Sequence, residues 1–349
     1  MTAVYFVAIV SALVVSLILT PFSAKLARRF GAIDLPDPRK VHHDALPRWG
    51  GIGIMGGFLS SLLIVYLFFE DFRKMLMVSQ PFVRKGKILY TLDMADQLIG
   101  ILLGSFILFV VGLVDDRKPI NPGMKFLLQI IAAYVAMTYG VRIQGISIPY
   151  LSEISQFPLW IMQILTVLWI VGLSNAMNLI DGLDGLAGGT AAIISGAFVA
   201  VTLIQDGMYT NIFGLEMKLA GLLAACLLGA TIGFLVYNFY PAQLFMGDSG
   251  ALTVGFIISC LAVVGAFKTT LLAVLVIPFL LVAIPVLDMT VAFGRRLLGG
   301  KNPFAADRGH FHHRLLDRGW TQREIVFLVY IVTLVLAFIC VTMVGIKKI

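Results

Sequence analysis

Charge is what this chain has least of. Asp, Glu, Lys and Arg together supply 13% of its 349 residues, against about 25% in an ordinary soluble domain. Hydrophobic residues supply 59% and the mean hydropathy is +0.96. These figures exclude a typical soluble fold and indicate a polytopic membrane protein. Cysteine is scarce too: Cys226, Cys260 and Cys340 each lie inside an apolar run. Their spacing fits no metal site, so they read as small packing residues. A G-x-x-x-x-G-K-[ST] loop is missing, which leaves P-loop ATP hydrolysis without support. Internal repeats, low-complexity segments and long polar stretches are missing as well, so residues 1–349 read as one integral domain. The first twenty residues carry no basic n-region, and Lys25, Arg28 and Arg29 follow the apolar run instead. That pattern predicts a retained first span with its N-terminus outside.

Long apolar runs are what the chain has in their place. They predict spans at 4–22, 50–69, 97–114, 124–139, 158–174, 186–204, 219–236, 251–267, 271–293 and 325–345. The expected fold is an all-α polytopic integral membrane protein of about ten transmembrane helices. Most Lys and Arg residues fall in the odd-numbered loops, with Arg73, Lys74, Arg84, Lys85 and Lys87 in the second loop as the main exception. The positive-inside rule makes the odd loops cytoplasmic. The net charge of +7 comes from residues beside spans, which suits anionic lipid or phosphate and not nucleic acid.

Polar residues cluster in those odd loops. Asn175-Ala-Met-Asn178-Leu-Ile-Asp181-Gly-Leu-Asp184-Gly follows the fifth span, with a polar side chain at every third position. Glycines at 182, 185, 188 and 189 favour a tight or broken turn that would nearly eclipse the four. The third span ends in Asp115-Asp116-Arg117. Carboxylates there oppose the helix macrodipole, which calls for a compensating cation or a proton-transfer role. Asn121-Pro-Gly then breaks the chain before Lys125 opens the fourth span. Pro47-Arg48-Trp-Gly-Gly51 is a stiff turn that holds Arg48 where a phosphate could meet it. The seventh loop runs from Asn238 to Phe245-Met-Gly247-Asp248-Ser249-Gly250. Asp248 or Ser249 could cap the next helix, while the flanking glycines suit close ligand approach. The ninth loop holds His310-Phe-His312-His313-Arg314, a spacing unlike H-E-x-x-H zinc chemistry and better matched to a polyphosphate. The outward segment 140–157 alternates like a short hairpin.

Carboxylates without thiolates select a hard cation such as Mg²⁺, which prefers a few protein oxygens together with substrate phosphates. Neighbouring Arg, Lys and His would complement a diphosphate and stabilise charge moving onto a leaving phosphate. A membrane enzyme with such a site is well suited to join a cytosolic nucleotide-linked donor to a lipid phosphate.

Taken together, the Pro-Arg-x-Gly-Gly, Asp115-Asp116, Asn175 to Asp184, Phe245-Met-Gly-Asp248-x-Gly and His310-x-His312-His313 segments resemble the polyprenyl-phosphate N-acetylhexosamine-1-phosphate transferases, the superfamily of MraY, WecA and TagO. The His-Phe-His-His form and the Arg-Leu-Leu-Asp after it are more similar to the WecA/TagO branch. The resemblance implies attack of undecaprenyl phosphate on the β-phosphorus of UDP-N-acetylglucosamine, releasing UMP. It implies Mg²⁺, with Mn²⁺ as an alternative, held chiefly by Asp248 with Asp181 and Asp116. Asp115, Asp116, Asp181, Asp248 and His312 would form the catalytic set. Arg48, Lys125, Asn175, Asn178, Asp184, Asn238, Phe245, His310, His313 and Arg314 would bind substrate, with Phe245 against the uracil. It also implies cell-membrane localisation, a cytoplasmic active site and a homodimer. WecA-type relatives commonly have eleven spans, where the apolar runs here support ten.

Three other readings compete: MraY-like transfer of phospho-MurNAc-pentapeptide, an ion-coupled secondary transporter, and a non-catalytic scaffold. Transporters favour broken helices near the midplane and similarity between halves. Here the carboxylates sit at span ends on one face.

Overall fold

The computed structural model describes residues 1–36, 44–84, 87–143, 145–146, 155–156, 158–207, 212–265, 315 and 317–346. The chain is an all-α polytopic membrane protein. In order, the helices among the described residues are α1 (Thr2–Phe30), α2 (Gly50–Phe68), α3 (Glu70–Leu76), α4 (Met94–Arg117), α5 (Pro122–Thr138), α6 (Leu159–Ile180), α7 (Leu186–Gln205), α8 (Ile212–Asn238), α9 (Gly247–Gly265) and α10 (Gln322–Ile346). Among the described residues eight helices are long and apolar enough to cross a membrane, and α5 is a shorter apolar helix. The expected ninth span, 271–293, lies outside the described residues.

The helix at the centre is α9. Every residue from Gly247 to Val264 is buried, and α2, α4, α6 and α8 pack around it. A helix that is apolar on all sides has to be enclosed in this way. Its neighbours approach closely because small residues line the contacts. A Cβ on Gly255 would stand 2.8 Å from the Leu173 carbonyl oxygen of α6. On the flank, α1 buries Ala8, Ala12, Ser16 and Thr20 at four-residue intervals against α2 and α8. Its opposite stripe, Phe6, Val10, Val14, Ile18 and Phe22, is exposed and suits a lipid environment.

Capping residues explain several boundaries. The Asp93 side chain accepts from the backbone N–H of Ala95 and Asp96 to start α4. Asn121 accepts from Gly123 N–H, and Pro122 takes the first helical position of α5, where its missing N–H costs nothing. The Asn-Pro-Gly break is thus a helix start.

Among the described residues three two-stranded antiparallel pairs decorate the loops. Gly145–Ile146 pairs with Ser155–Gln156, as the outward alternation predicts. The second loop is more ordered than its composition suggests. It holds α3 and a hairpin of Ser79–Arg84 with Lys87–Asp93. Ile33–Asp34 pairs with Leu46–Pro47 within the first loop.

The expected broken turn after the fifth span needs correction. Asn175 and Asn178 lie on the last turns of α6, which runs regularly to Ile180. Asn175 tolerates that position because its Nδ2 donates back to the Val171 carbonyl at 2.8 Å. The break begins only at Asp181, where the glycines begin, and ends at Gly185 in the left-handed region with φ 79°.

Candidate active site at the mouth of the bundle

Four odd-numbered loops meet at one end of the bundle. They join α1 to α2, α4 to α5, α6 to α7 and α8 to α9. The start of α9 is their common point. The first N–H groups of a helix have no intrahelical acceptor and form its positive end. Here neighbouring helices supply carboxylates. Asp116, near the end of α4, accepts from Asp248 N–H at 2.8 Å and Ser249 N–H at 3.1 Å. Asp181, just beyond α6, accepts from Gly247 N–H. Asp116 is unfavourably placed for its own helix and favourably placed for α9, which resolves the tension that its position in the sequence raised.

Close approach makes this capping feasible. Gly112 lies one turn before Asp116 on α4. A Cβ there would strike the backbone of Ser249 and Asp248. From the other side, a Cβ on Gly51 would come within 2.5 Å of Gly250 N. The loop between α8 and α9 is also stitched to the turn before α2. Phe245 N–H donates to the Pro47 carbonyl at 2.8 Å, Gly50 N–H to that of Phe245 at 3.0 Å, and Gly51 N–H to that of Met246 at 3.1 Å.

With its backbone held, Asp248 sends its side chain to two partners. Lys125 Nζ is ion-paired to Asp248 Oδ2, and Asn178 Nδ2 donates to Asp248 Oδ1 at 2.9 Å. Lys125 also meets Asp115 Oδ2 at 3.0 Å. Asp115 accepts in addition from Ile120 N–H at 2.6 Å. Arg48 stands between Asp34, at 3.7 Å, and Asp116, at 3.8 Å. Its side chain remains 35% exposed, so it keeps an open face to the mouth. Burial pushes the Asp181 carboxyl up to about 7, with the Asp116 charge adding to the rise and Arg48 opposing it.

Other expected site residues hold loops together. Asp184 Oδ2 accepts from Ala242 N–H at 2.9 Å. Asn238 accepts from Gly185 N–H at 3.1 Å and donates to the Leu244 carbonyl at 2.9 Å. These bonds tie the turn after α6 to the loop before α9. Asn175 is engaged by Gln129, a residue that the motifs did not single out. A second addition is Tyr330 of α10, whose hydroxyl donates to the Gly185 carbonyl at 2.5 Å. Gln129 carried one signal in the sequence, a lone amide one turn after Lys125 in an otherwise apolar run. Tyr330 carried none. His310, His312, His313 and Arg314 lie outside the described residues.

Among the described residues, no three His, Cys, Asp or Glu side chains form a group able to hold a metal ion. Within the expected trio of Asp116, Asp181 and Asp248, both Asp116 oxygens accept from the α9 backbone, and the Asp248 oxygens meet Lys125 and Asn178.

Comparison with known proteins places the chain in a family. A model of glycosyl transferase family 4 matches residues 98–266, a stretch that contains Asp115, Asp116, Lys125, the Asn175 to Asp184 segment and Asp248. The probable undecaprenyl-phosphate N-acetylglucosaminyl 1-phosphate transferase of Bacillus subtilis is 34% identical over 327 residues, covering 93% of this chain and 81% of the relative. The chain belongs to glycosyl transferase family 4. The decaprenyl-phosphate N-acetylglucosaminephosphotransferase of Mycolicibacterium smegmatis is 31% identical over 348 residues, 94% of this chain and 79% of the relative. The undecaprenyl-phosphate alpha-N-acetylglucosaminyl 1-phosphate transferase of Escherichia coli K12 is 26% identical over 325 residues, 91% and 78% respectively. As a member of this family the chain is a membrane-embedded transferase.

Proposed function

We propose that this enzyme transfers N-acetylglucosamine 1-phosphate from UDP-N-acetylglucosamine to undecaprenyl phosphate. An acceptor phosphate oxygen bonds to the β-phosphorus, the bond from that phosphorus to the bridging oxygen of UMP breaks, and UMP leaves. The product is undecaprenyl-diphosphate-N-acetylglucosamine, a lipid-linked starting unit for surface glycopolymers. The single observation that carries this reading is Asp248 at the head of the buried helix α9, facing Lys125 and Asn178 beside Asp115 and Asp116. The relatives named above act, by name, on N-acetylglucosaminyl phosphate and a polyprenyl phosphate.

The donor set suits Mg²⁺, with Mn²⁺ as the alternative. It is all oxygen, and carboxylates outnumber the basic side chains paired with them. Asp248 and Asp181 would hold the ion, which needs only one or two carboxylates when substrate phosphates and water complete its shell. When bound, it would neutralise phosphate charge as the reaction proceeds. Lys125 and Arg48 bring positive charge to the two phosphate groups, and Asp116 keeps Asp248 in place. Polyprenyl phosphate is largely ionised near neutral pH, so charge neutralisation matters more than proton removal. His310, His312, His313 and Arg314 would steady the donor diphosphate. The mouth lies on the cytoplasmic side of the plasma membrane, and the N-terminus of α1 lies outside.

The test is UMP release from UDP-N-acetylglucosamine by the pure protein in detergent. Turnover is expected only with polyprenyl phosphate and Mg²⁺ both present, and with UDP-N-acetylglucosamine preferred to UDP-N-acetylgalactosamine and UDP-MurNAc-pentapeptide. No release under these conditions contradicts the proposal.

A further inference from the structure

On α5, Lys125 and Gln129 are one turn apart and share a face; on α6, Asn175 and Asn178 are three residues apart and do the same. The outer pair, Lys125 and Asn178, converges on the two oxygens of Asp248. The inner pair faces itself. Asn175 Nδ2 donates to Gln129 Oε1 at 2.5 Å, and Gln129 Nε2 donates to Asn175 Oδ1 at 3.2 Å. Gln129 is only 2% exposed.

We infer that Gln129 and Asn175 are a positioning pair whose reciprocal amide bonds fix the register of α5 against α6, and so bring Lys125 and Asn178 together onto Asp248. Three observations support this. Among the described elements helix α5 packs chiefly on α4 and α6, while Met124, Phe126, Leu127, Ile131 and Tyr134 are exposed. An apolar contact permits sliding, whereas a two-way amide bond in a low-dielectric interior has one register. Asn175 Nδ2 also reaches the Val171 carbonyl, so its two donor hydrogens already have acceptors and its role is to act through Lys125 and Asn178. The inference rests on the proposed reaction at Asp248.

The experiment exchanges the pair. Gln129→Asn and Asn175→Gln each keep the amide chemistry but alter its reach, and the double variant restores the summed length. Each single variant is expected to lower kcat about tenfold, with the donor KM changed less than about twofold, because a misplacement near 1 Å is enough for such a loss. The double variant is expected to recover to within about threefold of the wild type, a coupling that independent residues do not show. A readout separate from turnover is acetylation of Lys125, followed by site-resolved mass spectrometry. Lys125 should react faster in either single variant and return to the wild-type rate in the exchange. Unchanged kcat and unchanged labelling in Gln129→Asn overturn the inference. So does an exchange variant as slow as Asn175→Gln with a raised donor KM, which would place Asn175 on the substrate. Absence of turnover in the wild type would instead remove the proposed reaction while leaving the labelling comparison to judge the pair.

Discussion

Asp116 on α4 accepts the backbone N–H of Asp248 on α9 at 2.8 Å. One carboxylate thus holds the start of the helix that presents the other. Asp248 is part of the first helical turn and does not cap it; the cap comes from a different span. This joins two motifs 132 residues apart into one unit, because the positive end of α9 and the negative charge of Asp116 stabilise each other.

Replacing Asp116 should therefore weaken the fold at the mouth. Loss of a capping side chain typically costs about 1 kcal/mol, and an amide keeps one of the two oxygens that accept from α9. Asp116→Ala is expected to lower the apparent unfolding temperature in detergent clearly more than Asp116→Asn. Equal melting of the two variants would argue against a capping role.

Gly112 tests the same joint sterically. Gly112→Ala places a methyl group against the backbone of Ser249, so α9 must shift and Asp248 with it. Turnover should fall at least ~10-fold, the scale expected for a displaced reactive group. Gly172 is the matched control, since nothing lies within 4 Å of a Cβ there. Gly172→Ala should leave activity unchanged and stabilise its helix by up to about 1 kcal/mol.

Lys125 is the cation between Asp115 and Asp248. Lys125→Ala leaves both carboxylates facing each other and takes positive charge from the phosphates. A loss of about 10²–10³-fold in kcat is expected, as for other preorganised electrostatic groups. Lys125→Arg should recover part of it, and steady-state UMP release measures both.

Asp181 gives a pH signature. Burial raises it from 3.8 to about 7, while in the unfolded chain it ionises near its ordinary value. Between those two values the folded protein holds a proton that the unfolded chain has lost. This contribution to stability is full below the lower value, falls as pH rises through the window, and is gone above about pH 7. In protein treated with EDTA, the unfolding temperature should show this decline, and Asp181→Asn should be flatter across the window. An identical slope in the variant would contradict the assignment.

The spans were legible because the apolar runs are long and the polar residues between them few. The mouth was legible because its carboxylates interrupt such runs at their ends, all on one side. What the residues did not show was how they divide the work. Asp116 and Asp248 look alike as acidic residues beside glycine or a helix end, and only the approach of α9 to Gly112 makes the first a cap for the second. Asp184 and Asn238 have the chemistry of ligands, yet they tie one loop to another, through bonds between residues 58 and 53 apart in sequence that no local pattern encodes. The four polar residues after Val171 looked like one broken turn, but helix hydrogen bonding continued through two of them until the glycines began. The order in the second loop was invisible because short strands there carry no sustained alternation.

The most direct measurement is formation of lipid-linked N-acetylglucosamine diphosphate by Asp248→Asn beside the wild type, with Mg²⁺, UDP-N-acetylglucosamine and undecaprenyl phosphate supplied. Product from the wild type and none from the variant, with both proteins inserted and melting alike, is the predicted result. Wild-type rates in Asp248→Asn would contradict the account.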